Sequence, residues 1–204
     1  MAIPTAELPG HEVVRKRVIT ALNTCVESQS IEFKESAPWT ALQHKIAKAA
    51  MAMANLRDGG VVIIGVSERA DVWERTGISD EHLATYDVDT VIDGVNRYAS
   101  PPFNVLLVLV NHEDRRFLAI EVPEFTDTPI VCRREAVSEG LKPGAVYVRP
   151  PGKTQTTVVT SAEQMHDLLE LAAEKRARRI LELMERLKVA PMPKDPFDEE
   201  LRGL

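Results

Sequence analysis

The sequence predicts an α+β fold: a mixed β-sheet flanked by helices, with a long C-terminal helix. A continuous apolar run from Val61 to Val66 follows a glycine pair and has the length of a central strand buried on both faces. Two β-rich runs, Phe103 to Val110 and Arg115 to Val122, are joined by a short polar connection and predict a hairpin. Segments with helical spacing lie between the strand candidates, so helices and strands should pack as layers.

The N-terminal segments supply a helix and then a strand. Apolar residues at four-residue steps predict an amphipathic helix over 13–22. This helix belongs to an N-terminal region, 1–26, that precedes the predicted core domain. Residues 29–34 then alternate in polarity, as a half-buried strand does. Because side chains alternate along a strand, Glu32 and Lys34 are expected on the same side.

The middle of the chain supplies two further helices and three strand candidates. An Ala- and Met-rich segment, 41–56, predicts a helix packed closely on the sheet and ended by glycines. Residues 73–78 predict a short returning strand, and residues 87–99 predict a helix that ends before a proline pair. Two late strand candidates, 128–132 and 145–149, are separated by a polar loop.

The C-terminal part is a helix followed by a tail. The predicted core domain, 27–160, is followed by an amphipathic helix over 161–188, in which Ser161 is the N-cap and Gln164 completes a capping box. Prolines among charged residues predict that the tail, 189–204, is disordered.

An apolar stripe along this helix favours packing onto the core or onto a second copy of the chain as a homodimer. The stripe consists of Leu168, Leu169, Leu171, Ile180, Leu181, Met184 and Leu187. The alternative interpretation is a nucleic-acid contact by the basic residues that interrupt the stripe, namely Lys175, Arg176, Arg178 and Arg179.

The composition is that of a globular protein in a reducing compartment. The chain has 204 residues, of which 44% are hydrophobic, enough for a buried core. Cys25 and Cys132 lack metal-ligand spacing, so a cytoplasmic location is expected. The longest apolar runs are far shorter than the roughly 20 residues that span a bilayer, so no membrane partner is expected. A net charge of -6 argues against binding nucleic acid unless basic residues cluster.

Three stretches, in their order and spacing, resemble the Schlafen-type, Alba-like (AlbA_2) domain between about Glu27 and Lys153. The first is Glu27-Ser-Gln-Ser-Ile-Glu32-Phe-Lys34-Glu35, similar to an opening glutamate followed by an "EFK" strand. The second is an Ala-rich helix with Ala54-Asn55, then Gly59-Gly60, then a strand with Ile64-Gly65-Val66. The third is Val146-Tyr147-Val148-Arg149. The resemblance implies a nucleic-acid-binding or nuclease domain.

The resemblance also implies a site of three carboxylates, because nuclease-active relatives have acidic residues at the positions that match Glu27, Glu32 and Glu68. Carboxylate oxygens suit Mg²⁺ or Mn²⁺, which can stabilise charge on a phosphoryl group. If the three carboxylates converge, Lys34 would orient a water or neutralise the leaving phosphate. The alternative is that Glu32 and Lys34 form a solvated strand face that pairs with its neighbours.

A separate basic cluster is the candidate nucleic-acid contact. It comprises Arg133, Arg134, Lys142, Arg149 and Lys153, in the two late strands and their loops. Such side chains bind phosphate regardless of base sequence and would offset the net negative charge locally. Lys45 and Lys48 could extend this patch. The alternative is a scattered, solvated surface.

The leading hypothesis from the sequence is a Mg²⁺- or Mn²⁺-dependent endoribonuclease that acts on structured RNA such as tRNA, with RNA favoured over DNA. One alternative is a non-catalytic DNA- or RNA-binding regulator in which the glutamates are structural. A third possibility is an interaction module that dimerises through the C-terminal helix.

Overall fold

Five α-helices and ten short strands make up the part of the chain that the structure, a computed structural model, describes: residues 9–70 and 72–188. The helices are α1 (Pro9–Thr24), α2 (Trp39–Ala54), α3 (Asp80–Leu83), α4 (Val88–Asn96) and α5 (Ala162–Leu187). The strands are β1 (Ile31–Lys34), β2 (Gly60–Ile64), β3 (Val66–Arg69), β4 (Val72–Arg75), β5 (Ala99–Ser100), β6 (Leu106–His112), β7 (Arg115–Val122), β8 (Val131–Cys132), β9 (Tyr147–Val148) and β10 (Thr157–Val158). The predicted α+β class is confirmed.

The central sheet has four strands in the order β1-β2-β7-β6. β1 and β2 are parallel, whereas β7 is antiparallel to both β2 and β6. The predicted mixed sheet and the predicted β6-β7 hairpin are therefore confirmed. The remaining strands form three two-stranded ribbons, β3 with β4, β5 with β8, and β9 with β10.

Both faces of the central sheet are covered by helices. Side chains alternate between the two faces of a strand. On one face of β2, Val61 and Ile63 belong to the hydrophobic cluster that includes Val18 of α1. Val62 and Ile64 point to the opposite face and belong to the larger cluster built around α2. All five residues of β2 are buried, as predicted for a central strand with two apolar faces.

The central strand is shorter than predicted because the chain turns at Gly65. This glycine has φ +115°, and a Cβ there would lie 2.7 Å from the carbonyl carbon of Gly77, so a side chain would not fit. The Gly65 carbonyl accepts a hydrogen bond from the Gly77 N–H at 2.8 Å. β2 therefore ends at Ile64, and Glu68 lies on β3 in a separate ribbon rather than at the end of the central strand.

Helix α5 starts and ends close to the predicted residues. Ser161 Oγ accepts from the Gln164 N–H at 3.2 Å, which confirms Ser161 as the N-cap. The Gln164 side chain accepts from the Thr160 N–H at 3.0 Å, one residue before the position that a capping box uses. The predicted tail, 189–204, lies outside the described residues. No helix among the residues that the structure describes is long and apolar enough to cross a membrane.

Only part of the α5 stripe packs on the core. Leu168 and Leu171 are the buried residues of this helix. Three ion pairs add to the contact: Arg57 with Glu174 at 2.7 Å, Lys175 with Glu124 at 2.5 Å, and Arg179 with Asp127. Two of the basic residues considered for nucleic acid, Lys175 and Arg179, are thus paired within the molecule.

Asn55, the residue that ends α2, holds two distant segments together. Its side-chain NH₂ donates to the carbonyls of Ile130 and Tyr147, both at 2.9 Å, and its side-chain oxygen accepts from the Ile130 N–H at 2.7 Å. The side chain is buried, so water cannot replace these bonds. Asn55 thereby fixes β9 and the segment before β8 beside the end of α2.

Replacing Asn55 with Ala should therefore cost about 3 kcal/mol of unfolding free energy, because three buried backbone groups lose their partners. Urea denaturation followed by circular dichroism measures this loss. The control is Asn111→Ala, an exposed asparagine of β6, for which a change within about 0.5 kcal/mol is expected. Similar losses for the two variants would contradict the assigned role.

Candidate functional site

Glu27, Glu32 and Lys34 line one cleft of about 460 Å³ beside β1, at the edge of the central sheet. We call it the basic cleft, because four of its side chains are cationic: Lys34, Lys45, Lys48 and Arg149. Three carboxylates also line it, those of Glu27, Glu32 and Glu139. The segment between β9 and β10 contributes Thr154, Gln155 and Thr156. Strand β1, helix α2 and the β9-β10 ribbon therefore build the cleft together.

Glu32 lies between two cationic side chains. Its Oε1 is 2.5 Å from Lys34 Nζ, which confirms that these two residues share a side of β1. Its Oε2 pairs with the Arg149 guanidinium. Glu32 and Arg149 are only 8% and 3% exposed, so this ion pair is largely shielded from water. Both oxygens of the Glu32 carboxylate are thus engaged within the protein.

Arg149 ties the end of β9 to the start of β1. Its Nη1 donates to the carbonyls of Ser28 and Gln29, both at 3.2 Å, and its Nε donates to Thr156 Oγ1 at 3.4 Å. In return, the Gln29 side chain donates to the Arg149 carbonyl. Arg149 is thus a buried structural residue here rather than the exposed phosphate contact that the sequence predicts.

Glu27 is a second carboxyl group near β1. Its Oε1 accepts a hydrogen bond from the Phe33 N–H at 2.7 Å, which spans the turn before the strand. Burial raises the pKa of this half-buried carboxyl, and the nearby charge of Glu32 raises the pKa further. The hydrogen bond from the Phe33 N–H lowers the pKa but does not cancel the effect of burial. Glu27 consequently holds a proton to a higher pH than an ordinary glutamate does.

Glu68 does not join the other two predicted carboxylates. It lies opposite Trp73 in the β3-β4 ribbon, its side chain is exposed, and it does not line the basic cleft. Within 9–70 and 72–188, no group of three or more His, Cys, Asp or Glu side chains is placed to hold a metal ion. The predicted convergence of Glu27, Glu32 and Glu68 is therefore corrected, and the reason is the turn at Gly65.

The side chains present do not fit a resident Mg²⁺ or Mn²⁺. Such an ion takes carboxylate oxygens as ligands, but both Glu32 oxygens already face cations and one Glu27 oxygen accepts from the backbone. Lys34 and Arg149 supply the positive charge that a metal would bring. The Glu32 carboxylate is neutralised by the protein itself.

The other predicted basic residues do not line the cleft. Arg133, Arg134, Lys142 and Lys153 are exposed. Arg133 Nε donates to the Arg97 carbonyl at 3.2 Å, and Lys153 precedes the cleft-lining Thr154. Lys45 and Lys48, which the sequence suggests only as an extension, are the lysines of α2 that line the cleft. The roles of Thr154 to Thr156 have no sequence signal, because polar loop residues are common on any surface.

Removing the Arg149 side chain should test its structural role. In Arg149→Met the Glu32 carboxylate stays buried with one cation fewer, so we expect a loss of about 3–5 kcal/mol in unfolding free energy. The double variant Glu32→Gln/Arg149→Met should recover part of this loss, since it removes the uncompensated charge. The exposed Arg133→Met is the control, with an expected change of about 0.5 kcal/mol or less. Equal losses for Arg149→Met and Arg133→Met in chemical denaturation would refute the role.

Comparison with known proteins identifies the family. The chain is similar to two solved structures, the DIP2311 protein from Corynebacterium diphtheriae (20% identity, TM-score 0.49) and the N-terminal domain of a RecG-related protein from Nitrosomonas europaea (21% identity, TM-score 0.45). The matches cover 78% and 72% of this chain, and 28% and 94% of the respective structures, so the chain spans only about a quarter of the DIP2311 structure. No curated protein matches it. The sequence profile described as "Schlafen, AlbA_2" matches residues 27–157, and the chain therefore belongs to this family.

Proposed function

We propose that this chain binds nucleic acid and that the basic cleft holds the phosphate backbone. The observation that carries the proposal is that Lys45 and Lys48 of α2 line one cleft together with the polar segment between β9 and β10, in a chain of net charge -6. Phosphate binding depends chiefly on such local positive charge. Lys45 is exposed, and Lys48 Nζ lies 5.4 Å from the centre of the Tyr147 ring, a cation–π contact that holds the lysine at the cleft.

The acidic residues of the cleft repel a polyanion less than their number suggests. Glu32 faces two cations. Burial raises the pKa of Glu27, so a larger fraction of this carboxyl is protonated at a given pH. Glu139 is the remaining carboxylate of the lining. The lysines of α2 therefore dominate the electrostatics at the mouth of the cleft.

Polar groups of the β9-β10 ribbon complement the lysines. Thr154, Gln155 and Thr156 also line the cleft, and side chains of this kind often donate hydrogen bonds to phosphate and sugar oxygens. Lys153 is exposed next to them. We propose structured RNA such as tRNA as the favoured ligand over DNA, in keeping with the family resemblance, since the 2′-hydroxyl supplies contacts that DNA lacks.

Fluorescence anisotropy with tRNA, single-stranded DNA and duplex DNA in EDTA tests the binding proposal. We expect Lys45→Ala/Lys48→Ala to bind more weakly and to lower the slope of log K against log salt by about 1.4–1.8, two phosphate contacts at about 0.7–0.9 each. The control is Lys16→Ala, an exposed lysine on α1, across the sheet from α2. Unchanged affinity in the double variant would exclude the cleft, and equal affinity for all three ligands would exclude the RNA preference.

A metal-dependent endoribonuclease is the second candidate function. One observation favours it: Lys34 lines the same cleft as Glu27 and Glu32, the two glutamates that match acidic positions of nuclease-active relatives. The separation of Glu68 and the internal pairing of Glu32 speak against a bound metal ion. These carboxylates would then orient side chains and shape the cleft, as in a non-catalytic regulator.

Incubation of the folded protein with tRNA in Mg²⁺ or Mn²⁺ separates the two candidates. We expect binding without cleavage, because the carboxylates are not arranged around a metal position. Cleavage by the wild-type chain that disappears in both Glu32→Ala and Glu27→Gln would establish the nuclease instead. Circular dichroism of each variant ensures that a loss reflects chemistry rather than unfolding.

A further inference from the structure

One side of α5 carries an exposed apolar stripe. Leu169, Ile180, Leu183 and Leu187 are each more than half exposed. Together with Ala173 and Arg176 they recur at alternating steps of four and three residues, the spacing at which a helix presents one line of side chains to another helix. We call these six residues the α5 seam. Leu168 and Leu171, which pack on the core, belong to a different side of the helix.

Charge is distributed unevenly along α5. Residues 162–174 contain four acidic side chains and no Lys or Arg, namely Glu163, Asp167, Glu170 and Glu174. Residues 175–188 contain six basic and two acidic side chains. Two copies of the helix side by side in the same direction would place like charges together. Two copies in opposite directions place the acidic half of each beside the basic half of the other.

Arg176 also distinguishes between the two directions. In a parallel pair the seam would bring Arg176 against Arg176 of the partner subunit, which is repulsive. In an antiparallel pair with Leu169 beside Ile180 of the partner subunit, the heptad spacing places Arg176 beside Ala173 of the partner subunit. The small alanine leaves room for the long side chain, and Glu170 of the partner subunit is then close enough to pair with it. Size and charge both favour the antiparallel direction.

We infer that two copies of this chain form an antiparallel dimer through the α5 seam. At 26 residues α5 is about 39 Å long, since a helix rises about 1.5 Å per residue, so the seam extends well beyond the part packed on the core. Burying the exposed leucines and isoleucine supplies the apolar driving force. A nucleic-acid backbone would contact the basic half of α5 but would leave these apolar side chains in water. The dimer is independent of the function proposed for the basic cleft.

The mass of the full chain in solution tests the dimer. Light scattering from micromolar to submillimolar protein should show the mass rising from 22.7 kDa toward twice that value. Ile180→Glu and Leu183→Glu should keep the mass at that of the monomer, because each buries a charge in the seam. The matched control is Leu181→Glu, since Leu181 is 61% exposed on the same helix but lies outside the seam; this variant should still dimerise. A wild-type chain that stays monomeric, or equal loss of the dimer in Leu181→Glu, overturns the inference.

Disulfide trapping tests the direction of the pair. Under mild oxidant, Ala162→Cys/Leu187→Cys should form linked dimers, because residue 187 lies beside residue 162 of the partner subunit in the antiparallel register. Leu187→Cys alone should give no more linked dimer than the unmodified chain, whose Cys25 and Cys132 set the background. Efficient linking by Leu187→Cys alone would indicate a parallel pair and overturn the proposed arrangement. Binding of tRNA by the Ile180→Glu monomer reports separately on the basic cleft.

Discussion

The buried ion pair between Glu32 and Arg149 is the contact on which the architecture of the cleft depends. The two residues lie 117 positions apart, one on the edge strand of the central sheet and one at the end of β9. Arg149 also binds the Ser28 and Gln29 carbonyls, so this residue connects both β1 and the segment before it to the β9-β10 ribbon. Asn55 performs a similar task from the end of α2, because it binds the backbone beside Tyr147. Tyr147 of β9 is also fully buried in the core, so apolar packing and these two polar residues position the ribbon together.

The same ion pair lowers the negative charge that the cleft presents to a ligand. A carboxylate that faces Lys34 and Arg149 has little need of a further cation, and it presents little negative charge to a polyanion. The lysines of α2 line the same cleft. A cleft whose most buried carboxylate is paired with two cations suits the phosphate binding that we propose better than a metal-dependent cleavage. The family to which the chain belongs fixes the fold, whereas any activity depends on the side chains of the site.

Local sequence patterns predict most of the fold and part of the site. The phase of β1 correctly places Glu32 beside Lys34, and apolar periodicity finds α1, α2, α4 and α5 within a few residues of their ends. Local patterns give the wrong prediction where a contact between residues distant in sequence determines the role or position of a side chain. The Arg149 pairing has no local signature, so a basic residue at a strand end looks like a phosphate contact. The apolar run from Val61 to Val66 gives no sign of the turn at Gly65, because that turn depends on a close contact with Gly77. The sequence therefore assigns Glu68 to the end of the wrong strand.

The position of β1 at the margin of the sheet gives the β9-β10 ribbon a further importance. β1 has a hydrogen-bonded neighbour on one side only, β2, and an open strand edge can template the addition of a strand from another molecule. Arg149 binds the carbonyls of Ser28 and Gln29 at the approach to that edge, and Gln29 binds Arg149 in return. On the edge itself, Ile31 exchanges two backbone hydrogen bonds with Ser28, and the Phe33 N–H donates to the Glu27 carboxylate. Glu27 therefore lines the cleft and also occupies a backbone group through which another strand could pair.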